Sequence, residues 1–448
     1  MSKSVTKDMT VGSPMRLIVS FFIPLLLGML FQQFYSMMDT IIVGRCLGVN
    51  ALAAVGSTGS VNFMIIGFCM GVCNGFAIPV AQRFGAKDQT GLRKFVANSV
   101  WLSIVFAVIM TIVTCILCRQ IMTWMRTPAD IFEDANTYIF IIFIGIPATY
   151  LYNLVSGIIR SLGDSRSPLF FLIVSSVLNI GLDFLFILTF HMGVAGAAWA
   201  TVISQAVSGI GCLFYMKHKF EILKIRSEEW KMDTKYMKIL CGMGIPMGLQ
   251  YSITAIGSVI LQTAVNTLGS SAVAAITAGS KVSMFFCCPY DAMGSTMATY
   301  AGQNVGAGKL DRVKKGMLSC CLLGLIYAVL AFVFLFFFGR YTALLFMEAS
   351  EKAILGNVTT FLLINSAFFF PLSLVNIIRF TIQGMGYSVL AICAGICEMV
   401  ARSIVGFVFV PMWGFVAACF ASPVAWICAD IFLIPAFFYC LRRLKKVY

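Results

Sequence analysis

The chain has 448 residues, of which 60% are hydrophobic and 11% charged, and its mean hydropathy is +0.93. One water-soluble core could not hide that much apolar surface, so the bilayer is the solvent. The formal net charge of +14 would point to nucleic acid in a soluble protein, but the cations cluster between apolar runs, and no nucleic-acid partner is expected.

A helix that crosses a bilayer needs about 20 largely apolar residues. In chain order, twelve segments qualify, centred near Leu30, Ile66, Ile104, Ile144, Ser176, Thr201, Ser258, Cys288, Gly324, Ser366, Ile396 and Ile427. Several are longer than a minimal span, which predicts tilt or kinking. Strict two-residue alternation is absent, and with it the pattern of an outer-membrane barrel. Residues 1–16 are short, polar and basic. The apolar run after them is too long for a signal-peptide core and lacks a small-residue cleavage site, so it reads as a retained first helix. The 16 cysteines are scattered through apolar helices, where free Cys packs as a small hydrophobe.

Basic residues alternate sides. One side collects Lys3, Lys7 and Arg16; Arg83, Lys87, Arg93 and Lys94; Arg160 and Arg166; Lys217, Lys219, Lys224, Arg226, Lys231, Lys235 and Lys238; Lys309, Arg312, Lys314 and Lys315; Arg379; and Arg442, Arg443, Lys445 and Lys446. The other receives Arg45, Arg119, Arg126, Arg340 and Lys352. By the positive-inside rule both termini are expected in the cytoplasm, in a multi-pass protein of the plasma (inner) membrane.

The second half repeats the first at a shift of about 221 residues. Leu47-Gly48 with Ala53-Ala54 recurs as Leu268-Gly269 with Ala274-Ala275, and Gln82-x-x-Gly85-Ala86 as Gln303-x-x-Gly306-Ala307. Ile23-Pro24 pairs with Ile245-Pro246, Gly163-x-Ser165 with Gly386-x-Ser388, and Gly193 with Gly414. The expected fold is therefore an all-α polytopic membrane protein of twelve transmembrane helices in two six-helix lobes, related by pseudo-two-fold symmetry. The lobes would be residues 1–216 and 239–448, joined by the charged cytoplasmic linker 217–238.

Inside the apolar runs, Gln32, Tyr35 and Asp39 share one helix face, Ser176, Asn179 and Asp183 another, and Thr201, Ser204, Gln205 and Ser208 a third. Hydroxyls of this kind often serve as helix-to-helix glue. A carboxylate near mid-membrane costs about 2.5–3.5 kcal/mol and marks function by default. The positions matching Asp39 and Asp183 in the second half are near Leu261 and Gly406, so the acid pair belongs to one lobe. If both carboxylates face one cavity, they would hold a proton, or a Na⁺ shared with Asn179 and Thr201. Pro24 lies fifteen residues before Asp39 and permits a bend, as a static kink or as a hinge. In the second half Glu398 and Arg402 form a favourably oriented i,i+4 pair, expected to be structural. Asp291 lacks such a partner on its own helix face and is the second candidate ligand; Asp430 reads as structural or near an interface.

Gly306-Ala307-Gly308-Lys309 looks like part of a phosphate loop, but Gln303 stands where the first Gly should be and Leu310 where Ser or Thr should be, so no ATP site is expected. Neither His191 nor His218 has metal-ligand spacing. No hydrolytic constellation is present, and the chain is not expected to be an enzyme or to carry a cofactor.

The run Tyr35-x-x-x-Asp39-Thr40-x-x-x-Gly44, the Leu47-Gly48 and Gln82 motifs, and Asn179-x-x-x-Asp183 resemble the multidrug and toxic compound extrusion (MATE) transporters, over about residues 10–440. That resemblance implies a twelve-helix antiporter that exports amphipathic organic cations and other toxic compounds in exchange for H⁺ or Na⁺. It further implies a DinF-like branch with its ion site in the N-lobe. Residue by residue, it makes Asp39, Asp183, Asn179 and Thr201 ion-coupling groups and Pro24 the hinge. Gln32, Tyr35 and Tyr138, with Asn153 and Asp291, would support the site or line the substrate cavity. Members of the NorM type carry a seventh-helix acid where this chain has Gln250 and Gln262, so a C-lobe sodium site is not expected. A lipid-linked oligosaccharide flippase of the same superfamily is the alternative function, and a monomer is the expected state.

Overall fold

A computed structural model describes residues 6–344 and 352–447. Lys3 and the side chain of Lys352 lie outside the described residues. Among these the chain is helical, with no strand. In order, the helices are α1 (Pro14–Leu47), α2 (Val49–Ser57), α3 (Gly59–Gly85), α4 (Gln89–Trp124), α5 (Phe132–Ile144), α6 (Ile146–Ser161), α7 (Arg166–Phe184) and α8 (Val194–Lys219). After a short link come α9 (Thr234–Asn266), α10 (Ser270–Gly306), α11 (Leu310–Ala343), α12 (Lys352–Ala367), α13 (Phe369–Gly384), α14 (Ser388–Ile404), α15 (Val410–Trp413) and α16 (Phe415–Leu444).

Among the described residues, ten spans are long and apolar enough to cross a membrane, and two further pairs qualify jointly: α5 with α6, bent by 46°, and α12 with α13, bent by 50°. Counting each pair once gives twelve, at the twelve expected places. The first bend falls at Gly145, just before Pro147, a residue that cannot donate its amide to the preceding turn. Burial runs opposite to apolarity. The most apolar windows, in α4 and α11, are only 17% and 22% buried, whereas the less apolar α3 is 61% buried. In water that ordering would be unstable; in lipid it is what places a helix on the outside.

The described residues form two compact units. Unit 1 comprises residues 6–9 and Ile23–Tyr251, and unit 2 comprises Thr10–Phe22 and residues 252–447. The chain passes from one to the other between Met9 and Thr10, beside Pro24 within α1, and again within α9. In unit 1, Phe76, Phe95, Phe143, Tyr150 and Ile158 belong to a continuous apolar core. There α3 meets the first half of α9 through small residues. A Cβ on Gly71 would sit 2.5 Å from the Met247 carbonyl oxygen, and one on Gly75 would sit 2.5 Å from the Gly244 Cα. Only glycine allows backbones this close.

The link from residue 220 to 233 is bound to α4 and carries two short 3-10 turns, Glu221–Leu223 and Ser227–Trp230. Arg93 Nε donates to both Glu229 oxygens at 2.9 and 2.8 Å. Trp101 Nε1 donates to the Trp230 carbonyl at 3.0 Å, and the Asp233 amide donates to Asn98 Oδ1 at 2.9 Å. Part of the charged stretch 217–238 is thus helical, since α8 runs to Lys219 and α9 begins at Thr234. The phosphate-loop lookalike is the end of α10, where the Ala307 amide donates to the Gln303 carbonyl at 3.0 Å and Lys309 Nζ to the Thr10 carbonyl at 2.9 Å.

The repeat is visible in the backbone itself. Gly48 and Gly269 share φ near 91° and 93°, and Gly193 and Gly414 share φ/ψ of 62°/−143° and 63°/−138°. Both latter glycines follow a π turn that ends a helix, Leu185–Thr189 in one half and Val405–Phe409 in the other.

Candidate functional site

The residues singled out in the first half converge inside unit 1. α1 and α7 bring the Asp39 and Asp183 carboxyls against each other. Asp183 is wholly buried and Asp39 nearly so. Asn179, one turn before Asp183, donates its amide to Thr201 Oγ1 on α8 at 3.4 Å, and Thr201 in turn donates to the Ala197 carbonyl at 3.2 Å. Tyr138, on α5, lies within electrostatic reach of Asp39, Asp183 and Tyr35. The Tyr35 hydroxyl lies against the side chains of Gln32 and Gln205.

What this cluster lacks defines its chemistry. Asp39 Oδ1, Asn179 Oδ1 and both Asp183 oxygens are buried with no hydrogen-bond partner among the described residues. Four acceptor oxygens without donors are unstable in a low-dielectric setting unless something positive joins them. A proton or a hard cation with oxygen ligands fits; a transition metal does not, since no three His, Cys, Asp or Glu side chains group together among the described residues.

The polar stripe expected on α8 divides. Thr201 and Gln205 face the cluster, and Thr149 Oγ1 donates to Gln205 Oε1 at 2.9 Å. Ser208 donates across to the Phe171 carbonyl of α7 and so joins two helices, whereas Ser204 donates to the Thr201 carbonyl of its own helix. Ser176 likewise returns to the Leu172 carbonyl at 2.8 Å. Asn153 lies one turn beyond Thr149 and donates to its carbonyl at 2.8 Å. Thr149 escaped the sequence reading because a lone Thr beside a helix bend carries no signal.

Unit 2 holds a separate charged cluster. Glu398 pairs with Arg402 at 3.5 Å, as expected, and also with Arg379. Arg379 is buried in α13 and is not the loop charge that its spacing suggested. Asp291 and Asp430 both lie within electrostatic reach of Arg379, so Asp291, which lacks a partner on its own helix face, has a guanidinium nearby from another helix. Asp291 is part of unit 2, whereas Asp39 and Asp183 belong to unit 1. Arg160 is half-buried in the last turn of α6.

A family model described as MatE matches residues 24–185 and again 246–410. The chain belongs to the MatE family. The two successive matches are the two halves of the duplication read from the sequence. The chain is 30% identical over 373 residues to "Probable multidrug resistance protein YpnP" of Bacillus subtilis, spanning 83% of this chain and 82% of that one. It is 23% identical to an "FAD transporter" of Shewanella oneidensis, spanning 86% and 85%. Among solved structures, an outward-facing "multidrug resistance MATE family transporter of the MOP superfamily" superposes with a TM-score of 0.93 at 24% identity, over 99% of this chain and 100% of that one. The fold is that of the twelve-helix MATE transporters, and this MatE protein is a multi-pass membrane transporter, not an enzyme.

Proposed function

We propose that the protein is a cation-coupled multidrug antiporter of the plasma membrane, with both termini cytoplasmic, and that its coupling ion binds in unit 1 between Asp39 and Asp183. The observation that carries this reading is the set of four buried acceptor oxygens without donors on Asp39, Asn179 and Asp183. Two facing carboxyls repel unless a H⁺ or Na⁺ lies between them, so the site is charged in one state and neutralised in the other. Inward movement of one positive charge gains about 2.3 kcal/mol per 100 mV of membrane potential. Ion entry at Asp39 and Asp183 alters the electrostatics around Tyr35, Gln32 and Gln205, and alternating access lets that change release an amphipathic organic cation outward. The relatives described as multidrug resistance proteins support the cargo class. No further cofactor is required, the working unit is a monomer, and the site's place in the first half accords with a DinF-like branch.

The test is efflux of a cationic dye from proteoliposomes under separately imposed pH and sodium gradients. One gradient drives export by the wild type, and Asp39→Asn and Asp183→Asn each lower the driven component at least about tenfold, the scale of one lost charge-assisted contact. Undiminished gradient-driven export by both variants refutes the ion site.

A further inference from the structure

Residues 86–88 join α3 to α4, and both helices are long and apolar enough to span a bilayer, so this short turn lies at the level of the lipid headgroups. A cavity of about 240 Å³ opens there, lined within unit 1 by Asp8, Arg83, Lys87, Gln89, Leu92 and Ile222 among others. Its walls are fixed. The Lys7 amide donates to the Leu162 carbonyl at 2.9 Å and Met9 is fully buried, which holds Asp8 between two anchored neighbours. Ile222 belongs to the link fastened to α4, and Leu92 is wholly buried.

The duplicated turn at the end of α10 does without a lysine. Both helices end in the same cap: the amides of Lys87 and Asp88 donate to the Phe84 and Arg83 carbonyls at 3.1 and 3.0 Å, and those of Gly308 and Lys309 to the Val305 and Asn304 carbonyls at 2.9 and 2.8 Å. Such a cap needs a left-handed residue, which glycine supplies without strain. The second half uses Gly308, at φ 70°, whereas the first half uses Lys87, at φ 58°. A lysine held in that conformation stores strain, and the cap itself does not require its side chain. The neighbouring cations differ too. In unit 2, Lys309 Nζ donates to the Thr10 carbonyl and Arg312 Nη1 to the Gly12 carbonyl, both at 2.9 Å. In unit 1, the side chains of Lys87 and Gln89 line the cavity and have no partner among the described residues. Arg83 pairs with Asp88 at 3.2 Å yet stays exposed.

We propose that this cavity binds a singly charged phosphate group, that of a phospholipid headgroup, with Lys87 and Arg83 as its cations and the Gln89 side-chain amide as a neutral donor. Two cations and one carboxylate leave the lining with a single positive charge, so a phosphodiester monoanion balances it, whereas a dianion is repelled by Asp8. The cavity is smaller than the pockets of drug-sized ligands, which run from about 300 Å³ upward. A lipid held here ties α3, α4, residue 8 and the link together and stabilises unit 1 by mass action. The inference is independent of the ion site and of the cargo.

The test titrates the purified full-length protein, in neutral detergent, with short-chain phosphatidylglycerol, with phosphatidylcholine, whose trimethylammonium cancels the charge, and with inorganic phosphate. Native mass spectrometry counts bound molecules, and the melting temperature is read in parallel. The wild type binds phosphatidylglycerol in preference to the other two and melts higher with it. In Lys87→Gly the phosphatidylglycerol affinity falls about tenfold, the scale of one charge-assisted contact, while the lipid-free protein melts no lower, because the cap is relieved of strain. In Asp8→Asn inorganic phosphate binds more tightly than to the wild type. Unchanged phosphatidylglycerol affinity in Lys87→Gly overturns the site. A lower melting temperature of the lipid-free variant, matching its loss of affinity, makes Lys87 a cap residue and overturns it as well. Inorganic phosphate bound more tightly than phosphatidylglycerol, with the same dependence on Lys87, overturns the lipid as the source and leaves a soluble phosphate as the ligand.

Discussion

Asn179 occupies a specific place among the unpaired oxygens: its amide nitrogen is spent on Thr201, which leaves its Oδ1 without a partner among the described residues. Asn179→Ala removes one ligand oxygen and leaves both carboxyls. A contact to a charged group contributes about 1.5–3 kcal/mol, so the ion concentration that half-saturates dye efflux should rise at least about tenfold, with the maximal rate reduced far less. An unchanged half-saturation point would remove Asn179 from the ligand set. At this scale Asp39 and Asp183 were legible, because a carboxylate within an apolar run stands out against its cost. Arg379 was not. A single basic residue near the end of an apolar run reads as a loop charge, and only the continuation of α13 around it puts it inside.

At the scale of elements, the fastening of the 220–233 link to α4 has a pH signature. Burial works against the charge on Glu229, but the Arg226 amide and then Arg93 outweigh it and hold the carboxyl below the ordinary glutamate range. A carboxyl depressed in the folded state stabilises fully above its unfolded value, near 4.3, and that contribution vanishes as pH falls through the lower folded value. The melting temperature of detergent-solubilised wild type should therefore exceed that of Glu229→Gln near neutral pH and converge on it below about pH 4. A gap that is constant across this range would show that the ion pair does not titrate with folding. The twelve spans could be read from apolar length alone. The docking of the link could not, since Arg93 and Glu229 are 136 residues apart and look in sequence like ordinary loop charges. The π turns were also hidden, because nothing in Leu185–Thr189 or Val405–Phe409 departs from a plain apolar helix.

For the molecule as a whole, the bilayer decides which faces are inside. α4 presents Ile104, Val108, Ile112 and Ile116 outward, with Ile112 53% exposed. Ile112→Lys should cost about 2.5–3.5 kcal/mol in the membrane, measured as a several-fold drop in membrane-inserted yield. Normal yield would place that face of α4 against water. The duplication was legible because its glycines must keep unusual torsions in both halves, which fixes their spacing in the sequence. The asymmetry laid over it was legible too, since Leu261 and Gly406 stand near where a second acid pair would be. One ancestral framework therefore serves two different polar interiors, an oxygen cluster without donors in unit 1 and a network built on Arg379 in unit 2.

The widened turn at Leu185–Thr189, closed by the Phe190 amide on the Leu185 carbonyl at 3.1 Å, holds one residue more than an ordinary turn. Losing a residue usually ruins a spanning helix, because everything downstream rotates by about 100°. Here the surplus can be absorbed. A one-residue deletion within this stretch would retire the bulge, leave Asn179 and Asp183 in step with each other, and shorten the segment before Gly193 without breaking it. The spot best able to tolerate an indel therefore lies immediately beside the acid that least tolerates change.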